Sequence, residues 1–471
     1  MLWLGLLVGC PSPCVGAGCG DAFSASRVGV LTELSDLSAP PGSPTDSLLT
    51  VVGTTDQGPD WTALLVERGL LVGSPGDGAV YAFASGARDS QDTASATNSI
   101  TGWQGAAAAL GSSLARTSGP SGADLLVGAP LGDQQSTSRQ EGLVFRFSGQ
   151  GDGLTTDLLL KEADLKVYGE EPAGRFGETL VSCGDIDQDG TEDWAAAGTW
   201  DSSNQPLSGL AALALSSQLA GVTEISARSL AGFWQGSHNG ARAGAALRCR
   251  DDLTGDGVPD LLIGAPFADE GGLEASGAVY LVPGPTADAP LESGPLLAAR
   301  YRTLGGLTSE SWLGWSLATG DLNGDGIAEL VAGAPGASAG AGEVFIWDGA
   351  DFQAGDDRPL LRITGSASGD GLGRSLLTLD LDGDGYDELI VGAPHHNPDG
   401  DAPSSFFSGA LYIFAGAPGY QGWIPLRGAD DAEVVLTVAQ QFLRTGRAVT
   451  SGDFDGDGTP DLALLQTTAP E

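Results

Sequence analysis

Short apolar segments recur along the chain, and each is too short to form a helix with one buried face. Five of them follow acidic segments, at 194–197, 261–263, 330–332, 389–391 and 462–465. Others open with glycine, at 277–282, 342–347 and 409–414. Short apolar runs bounded by glycine and polar residues are typical of buried strands. The pattern therefore predicts an all-β protein built from a repeated set of strands.

Five acidic segments of nine residues precede the first set of strands, at intervals of 59 to 73 residues. Each has oxygen-bearing side chains at positions 1, 3, 5 and 9, and glycine at position 6. Ca²⁺ takes roughly six to eight oxygen ligands, and a loop with oxygens at alternate positions can supply them. Glycine allows the sharp bend because it adopts positive φ readily. Helical flanks are absent, which argues against EF-hands.

The sequence predicts up to five Ca²⁺ ions, one in each acidic loop. We name each loop by its first residue. The predicted ligands are Asp185, Asp187, Asp189 and Asp193; Asp252, Thr254, Asp256 and Asp260; Asp321, Asn323, Asp325 and Glu329; Asp380, Asp382, Asp384 and Glu388; and Asp453, Asp455, Asp457 and Asp461.

The residues around the loops repeat as well. A small hydrophobic residue followed by glycine precedes the loops, at 176–177, 243–244, 313–314, 372–373 and, more loosely, 445–446; Gly-Ala-Pro follows three of them, at 264–266, 333–335 and 392–394. Two earlier segments, 71–83 and 126–147, keep the strands without the acidic loop. These residues resemble FG-GAP repeats, the blades of the integrin α-subunit head and of many bacterial surface proteins. The resemblance is strong over 173–466 and weaker over 28–172.

This resemblance implies a seven-bladed β-propeller of four-stranded antiparallel blades, with each acidic loop joining strands 1 and 2 of its blade. The last blade lacks a third strand before the chain ends at Glu471. We expect N-terminal strands near 28–34 and 48–52 to complete this blade and close the ring, because closure removes open sheet edges. Residues 28–471 would then form one domain.

The net charge of the chain limits the classes of partner that it can bind. The formal net charge is −40, and lysine occurs only at Lys161 and Lys166. Bound Ca²⁺ would offset part of this charge, but the remainder disfavours nucleic acid and anionic lipid, which need clustered basic residues. We expect a monomer that binds a protein or polysaccharide and reaches a membrane only through a lipid anchor.

Residues 1–27 resemble a lipoprotein-type signal leader. Leu7-Val8-Gly9-Cys10 is similar to a bacterial lipobox, in which the cysteine becomes the acylated N-terminus. No basic residue precedes Arg27, which departs from a normal leader. An outer-membrane or cell-surface lipoprotein is the leading interpretation; plain secretion and an unexported chain are the alternatives. Cys183 and Cys249 precede neighbouring acidic loops, and either a disulfide or two buried free thiols fits them.

The sequence gives little evidence for catalysis, because the chain has three histidines and no nucleophile with a recognisable base. The leading hypothesis is a non-enzymatic, calcium-binding scaffold at the cell surface that functions in adhesion or recognition. A carbohydrate-binding lectin and a polysaccharide lyase-like enzyme are the alternatives. In the family, ligands bind the face opposite the acidic loops. The aromatic residues predicted for that face are Trp234, Tyr301, Trp312, Phe406 and Phe407.

Overall fold

Strands account for nearly all the regular structure in the computed structural model of this chain. It describes residues 2–7, 30–31, 49–52, 62–66, 69–84, 89–92, 96–102, 109–119, 122–133, 139–286, 289–299, 302–397, 407–420, 426–438, 444–452 and 460–467. Within these ranges the α-helices are Leu296–Ala299, Ala337–Gly340 and Gly349–Gln353. Short 3₁₀ turns lie at Leu160–Glu162, Ser216–Leu219, Ala227–Ser229, Glu270–Gly272, Pro418–Tyr420 and Ala429–Asp431. None of these helices is long and apolar enough to cross a bilayer.

The described strands form seven sheets, which we number along the chain. Sheet 1 contains Thr62–Val66, Gly69–Ser74, Ala79–Ala84, Asn98–Thr101 and Leu158–Leu159. Sheet 2 contains Leu114–Gly119, Gly122–Ala129, Leu143–Phe147, Leu165–Tyr168 and Glu224–Ser226. Sheet 3 contains Thr179–Gly184, Asp193–Gly198, Leu210–Ala214, Gly232–Gln235 and Gly294–Pro295. Sheet 4 contains Ala246–Cys249, Leu261–Ala265, Ala278–Val282 and Arg302–Gly305.

The remaining three sheets follow the same order. Sheet 5 contains Ser316–Gly320, Glu329–Ala334, Glu343–Trp347, Leu361–Thr364 and Leu426–Gly428. Sheet 6 contains Ser375–Leu379, Glu388–Ala393, Ala410–Phe414, Val434–Val438 and Val30–Leu31. Sheet 7 contains Ala448–Gly452, Asp461–Thr467, Leu2–Leu7, Leu49–Val52 and Asp89–Asp92.

Each sheet has four antiparallel strands, and six of the seven described sheets have a fifth that runs parallel to the fourth. For example, Glu224–Ser226 pairs with Leu165–Tyr168 of sheet 2, although it leads into Gly232–Gln235 of sheet 3. The fifth strand therefore comes from the repeat that follows. It covers an outer edge that would otherwise present unpaired backbone groups. The sequence predicted the four antiparallel strands but not this addition.

N-terminal strands complete sheet 7, although one of them differs from the prediction. Leu49–Val52 lies in sheet 7 as expected, but Leu2–Leu7 is the strand that pairs with Asp461–Thr467. Val30–Leu31, expected in this position, instead pairs with Val434–Val438 of sheet 6. The apolar segment Leu2–Leu7 offers six consecutive residues for pairing, whereas Val30–Leu31 offers two. Leu2–Leu7 also lies within the predicted leader.

Hydrophobic residues pack between successive sheets. Trp194, Leu210 and Phe176 lie in a cluster shared by sheets 2 and 3, and Ile263, Tyr280 and Trp234 lie in one shared by sheets 3 and 4. Further clusters join sheets 1 and 2, 4 and 5, 5 and 6, and 6 and 7. The first strands of successive sheets are also in contact, and Ala448–Gly452 of sheet 7 contacts Thr62–Val66 of sheet 1.

The repeated glycines allow neighbouring backbones to approach closely. In the Gly-Ala-Pro segment of sheet 4, a Cβ added at Gly264 would overlap the carbonyl oxygen of Gly314. Gly277, at the start of the third strand, has a φ of 79° and forms a parallel bridge with Leu313. A side chain at either position would separate one repeat from the next, which explains why glycine recurs there.

A disulfide joins two of the first strands. It links Cys183 of sheet 3 to Cys249 of sheet 4, across a Cα–Cα distance of 4.5 Å. Both cysteines are buried, and each stands two or three residues before an acidic loop. The bond therefore fixes the spacing of two neighbouring loops at their origin.

We predict that both thiols resist alkylation in the denatured, unreduced protein and become reactive only after reduction. Replacing both cysteines by serine should lower the free energy of unfolding by about 2–4 kcal/mol, because the disulfide restricts the unfolded chain. Mass spectrometry of alkylated peptides and chemical denaturation measure the two effects. Labelling of Cys183 and Cys249 by denaturation alone would show that the thiols are free.

Candidate metal centre

Four of the five acidic loops lie largely within the described residues, and each joins the first strand of a sheet to its second. The Asp185, Asp252, Asp321 and Asp380 loops belong to sheets 3, 4, 5 and 6. In the Asp453 loop, 453–459 lie outside the described residues. The proposed ligands Asp453, Asp455 and Asp457 stay predictions, as does the role of Asp461, which begins the strand Asp461–Thr467.

The position 1 carboxylate organises each of these loops. Asp252 accepts hydrogen bonds from the backbone N–H groups of Gly255 (2.6 Å), Asp256 (3.1 Å) and Gly257 (2.7 Å). In the other three loops the position 1 carboxylate also accepts hydrogen bonds from the N–H groups of positions 5 and 6. In the Asp321 and Asp380 loops it accepts one from position 4 as well. Position 6 glycines have φ between 84° and 92°, and a Cβ there would meet nothing within 4 Å. Backbone conformation, rather than space, therefore favours glycine.

The position 9 carboxylate is buried in all four loops. Asp193, Asp260, Glu329 and Glu388 are at most 2% exposed. Each accepts a hydrogen bond from the backbone N–H of position 2, at 2.7–3.1 Å. Asp193 also accepts one from Ser216, just after the third strand, at 2.7 Å. Position 9 thus ties the loop to its own sheet, and its buried negative charge needs a cation or a proton nearby.

Two loops bring three carboxylates together. Oxygens of Asp185, Asp187 and Asp193 lie within 4.8 Å of one another, as do those of Asp380, Asp382 and Glu388. These are positions 1, 3 and 9. The position 5 carboxylates are not part of either group: Asp189 accepts a hydrogen bond from the N–H of Thr191 and Asp384 from that of Tyr386, both at 2.9 Å.

The other two loops have a neutral residue at position 3. The Asn323 amide donates to Glu329 Oε1 at 3.0 Å, so it partly satisfies the buried carboxylate. Thr254 donates its backbone N–H to Asp260 at 2.8 Å. Within the described part of the chain, neither loop brings three carboxylates within 4.8 Å. The Asp185 and Asp380 loops are therefore the stronger candidates for holding a cation.

Burial raises the pKa of every described position 9 carboxyl. The pKa is about 7 for Asp193 and Asp260 and about 8 for Glu329 and Glu388, with desolvation as the largest cause in each case. Burial also raises the pKa of Asp187 and Asp382, helped by the charges of Asp189 and Asp384. In the absence of a cation, the position 9 carboxyls therefore hold their protons up to about pH 7 or 8.

Neighbouring loops are bonded to each other, which the sequence did not predict. Asp387, at position 8 of the Asp380 loop, accepts a hydrogen bond from the N–H of Asp321 and donates its own N–H to the Asp321 carbonyl, both at 2.9 Å. Gln188 of the Asp185 loop donates to the Gly257 carbonyl at 2.9 Å. The sequence feature that could have indicated such bonds is an acidic residue at position 8, which occurs as Glu192 and Asp387. A change in one loop can therefore reach the next.

A polar cavity of about 650 Å³ opens beside the Asp252 and Asp321 loops. Arg248 extends along it and donates to the Thr319 hydroxyl at 2.9 Å. Burial lowers the pKa of Arg248, whereas the charges of Asp251 and Asp387 act in the opposite direction. This arginine, which sequence reasoning also missed, offsets part of the acidic charge around the loops.

The opposite face differs from the prediction in one respect. Trp234 is fully buried and donates its indole N–H to the Glu292 carbonyl at 2.6 Å, so it packs between sheets and does not face a ligand. Trp312 and Phe407 are half-buried, and Phe407 packs beside His395 with ring centroids 5.2 Å apart. Tyr301, Phe406 and the predicted lipidation site Cys10 lie outside the described residues.

The FG-GAP repeat family matches this chain at 250–282, 313–347 and 372–414. These segments correspond to sheets 4, 5 and 6, including the Asp252, Asp321 and Asp380 loops. The motif resemblance noted in the sequence is thereby confirmed for three repeats.

Several curated proteins are similar to about a third of the chain. Integrin alpha-PS2 of Drosophila melanogaster is 30% identical over 161 residues, covering 34% of this chain and 11% of that protein. Integrin alpha-V of Gallus gallus is 31% identical over 163 residues, covering 33% and 14%. Phosphatidylinositol-glycan-specific phospholipase D of Rattus norvegicus is 31% identical over 168 residues, covering 34% and 19%. The chain thus spans less than a fifth of the length of these relatives.

A solved structure described as the Dos1 propeller covers 89% of this chain, and the alignment includes 82% of that protein. The TM-score is 0.41 and the sequence identity 10%. That likeness is too weak to support a conclusion about the fold.

We predict that the calcium-free protein becomes less stable as pH rises from 5 to 8. The position 9 carboxyls keep protons in the folded state up to about pH 7 or 8, but lose them near about pH 4 when unfolded. The folded state binds more protons in this range, so the free energy of unfolding falls with rising pH. Thermal unfolding in chelator measures this. A melting temperature that rises over the same range would contradict the inferred protonation.

Proposed function

We propose that this FG-GAP repeat protein, whose repeats are those of an integrin-α-like β-propeller, is a calcium-binding scaffold that recognises a ligand. The observation that carries the proposal is the grouping of carboxylates at positions 1, 3 and 9 in the Asp185 and Asp380 loops. All the donor atoms are carboxylate oxygens, which suit a hard cation such as Ca²⁺. The cation would balance the negative charge of the buried position 9 carboxylate in each loop.

We also propose that the seven sheets are blades of one closed ring. The contact of Ala448–Gly452 with Thr62–Val66 supports this, as does the completion of sheet 7 by Leu2–Leu7 and Leu49–Val52. In such a ring the acidic loops share one face, because connections between antiparallel strands alternate between the two ends of a sheet. Bound Ca²⁺ would then stiffen that face and leave the other for recognition.

The recognition role is proposed as non-enzymatic. The phospholipase D relatives carry an enzymatic name, but the match includes 19% of their length, so their activity does not transfer to this chain. The family resemblance and the aromatic residues of the opposite face support a binding role. Protein ligands are the leading class, since the integrin relatives match the same repeats.

Export from the cytoplasm is part of the proposal. The Cys183–Cys249 disulfide supports it, because such bonds persist in oxidising compartments. Lipidation at Cys10 would require cleavage before that residue, which would remove Leu2–Leu7 from sheet 7. A mature lipoprotein and the observed pairing of Leu2–Leu7 therefore exclude each other. The mass of the mature N-terminal peptide decides between them.

Calcium should raise the melting temperature relative to chelator, because it binds the folded loops and not the unfolded chain. Asp187→Asn and Asp382→Asn should each weaken calcium affinity at their loop about tenfold, or ~1.4 kcal/mol. Differential scanning calorimetry at several calcium concentrations measures both effects.

Asp356→Asn is the matched control, because it makes the same change on the same face outside the acidic loops. Asp356 pairs with Arg358, which is 86% exposed. Calcium should raise the melting temperature of the Asp356→Asn variant as much as it raises that of the native protein. Identical melting in calcium and in chelator would refute the calcium-binding function.

A further inference from the structure

Cationic and aromatic side chains form a continuous band on the face opposite the acidic loops. The Arg175 guanidinium lies 4.0 Å from the ring centre of Trp200, and that of Arg242 lies 5.1 Å from Trp200 and 5.0 Å from Phe267. Phe267 and Trp315 are 5.9 Å apart, and Arg374 lies 4.0 Å from Trp315. We call these six residues the arginine–aromatic band. It extends across sheets 3 to 6.

Four members of the band stand at equivalent positions of two successive repeats. Arg175 and Arg242 each stand two residues before the glycine that precedes the first strand, whereas Trp200 and Phe267 each follow the second strand. These connections emerge at the same end of their sheets, so the side chains alternate around that face. In sheets 3 and 4 the repeat itself therefore places a guanidinium beside each ring, whereas Trp315 and Arg374 each stand directly after that glycine in sheets 5 and 6.

The backbone at both arginine positions is strained. Arg175 has a φ of 57° and Arg242 a φ of 53°, in the left-handed region that residues with a Cβ seldom adopt. Such conformations persist when surrounding structure enforces them, and they cluster at functional sites. Glycine would adopt them without strain, yet arginine stands at both positions. The strain is consistent with a function for these side chains at the surface.

Half-burial leaves the band able to contact a partner. All six residues are intermediate in exposure, and the Arg175 side chain is 35% exposed. Arg175 has a weak ion pair with Glu178 at 4.0 Å; Arg242 has no carboxylate within 4.0 Å in the part of the chain that is described. The Arg242 guanidinium, which stacks on two rings, keeps its N–H edge for a carboxylate, which it can bind with two hydrogen bonds.

We propose that the arginine–aromatic band is the docking surface for a protein that presents carboxylate side chains. This inference rests on the proposed scaffold function and specifies its partner. Tryptophan and arginine are among the residue types enriched at the energetic hot spots of protein interfaces. The net charge of −40 repels polymers with dense negative charge, but it permits an isolated Asp or Glu on a neutral or basic protein surface.

The test uses short synthetic peptides as probes, in matched pairs that differ only in Glu or Gln at the same positions. The calcium-loaded protein should bind the best Glu peptides about tenfold more tightly than their Gln counterparts, a difference of ~1.4 kcal/mol. Arg242→Gln and Arg374→Gln should each reduce this preference at least threefold. Arg242→Lys should retain part of it, since the charge remains but the planar fork is lost.

Arg358→Gln is the matched control, because it removes an exposed arginine from the acidic-loop face and should leave the Glu preference unchanged. Calcium-dependent melting of each variant shows that it is folded. Equal binding of Glu and Gln peptides would overturn the proposal, as would a preference that survives both band substitutions. Binding of alginate without a Glu preference would overturn it in favour of an acidic polysaccharide.

The two proposals fail in different experiments. A protein that melts in a calcium-dependent way but does not discriminate Glu from Gln retains the scaffold function and loses the docking surface. A melting temperature that does not change with calcium refutes the calcium-binding function, whatever the peptide preference.

Discussion

A buried carboxylate at the start of each second strand is the constraint on which the acidic loops depend. Asp193, Asp260, Glu329 and Glu388 are inaccessible to water, yet each accepts hydrogen bonds that hold its loop to the sheet. Ionising such a group without a partner is costly. A proton removes the charge, whereas Ca²⁺ would balance it and also attract the carboxylates at positions 1 and 3. If the proposed calcium binding holds, each loop would have a protonated form and a calcium-bound form, and pH and calcium would select between them.

The effect of a cation would extend beyond a single loop, because the repeats are joined in several ways. Asp387 exchanges hydrogen bonds with Asp321, and the Cys183–Cys249 disulfide ties the first strands of sheets 3 and 4. Fifth strands connect each described sheet, except sheet 4, to the repeat that follows. Order at the acidic-loop face can therefore support the position of side chains at the opposite face, where Arg242 stacks between Trp200 and Phe267.

Much of this architecture could be predicted from the sequence, because strand order and loop position follow from local patterns. The acidic loops were recognisable from their spacing, and Gly-Ala-Pro was recognisable as a recurring part of the repeat. Contacts between repeats were harder to predict, because they depend on the direction in which side chains point. The burial of Trp234 and the Asp387–Asp321 bonds are two such contacts. Leu2–Leu7 was missed because an apolar N-terminus resembles a leader as well as a strand. The arginine–aromatic band was missed because its members are far apart in sequence.

The central claim is that the acidic loops hold Ca²⁺. The most direct test is to count the metal, by inductively coupled plasma mass spectrometry of protein equilibrated with calcium and passed through a desalting column. We expect at least two Ca²⁺ ions per chain, held by the Asp185 and Asp380 loops, and up to five if every loop is filled. The double variant Asp187→Asn, Asp382→Asn should retain fewer. Less than one ion per native chain, or an unchanged count in the double variant, would contradict the claim.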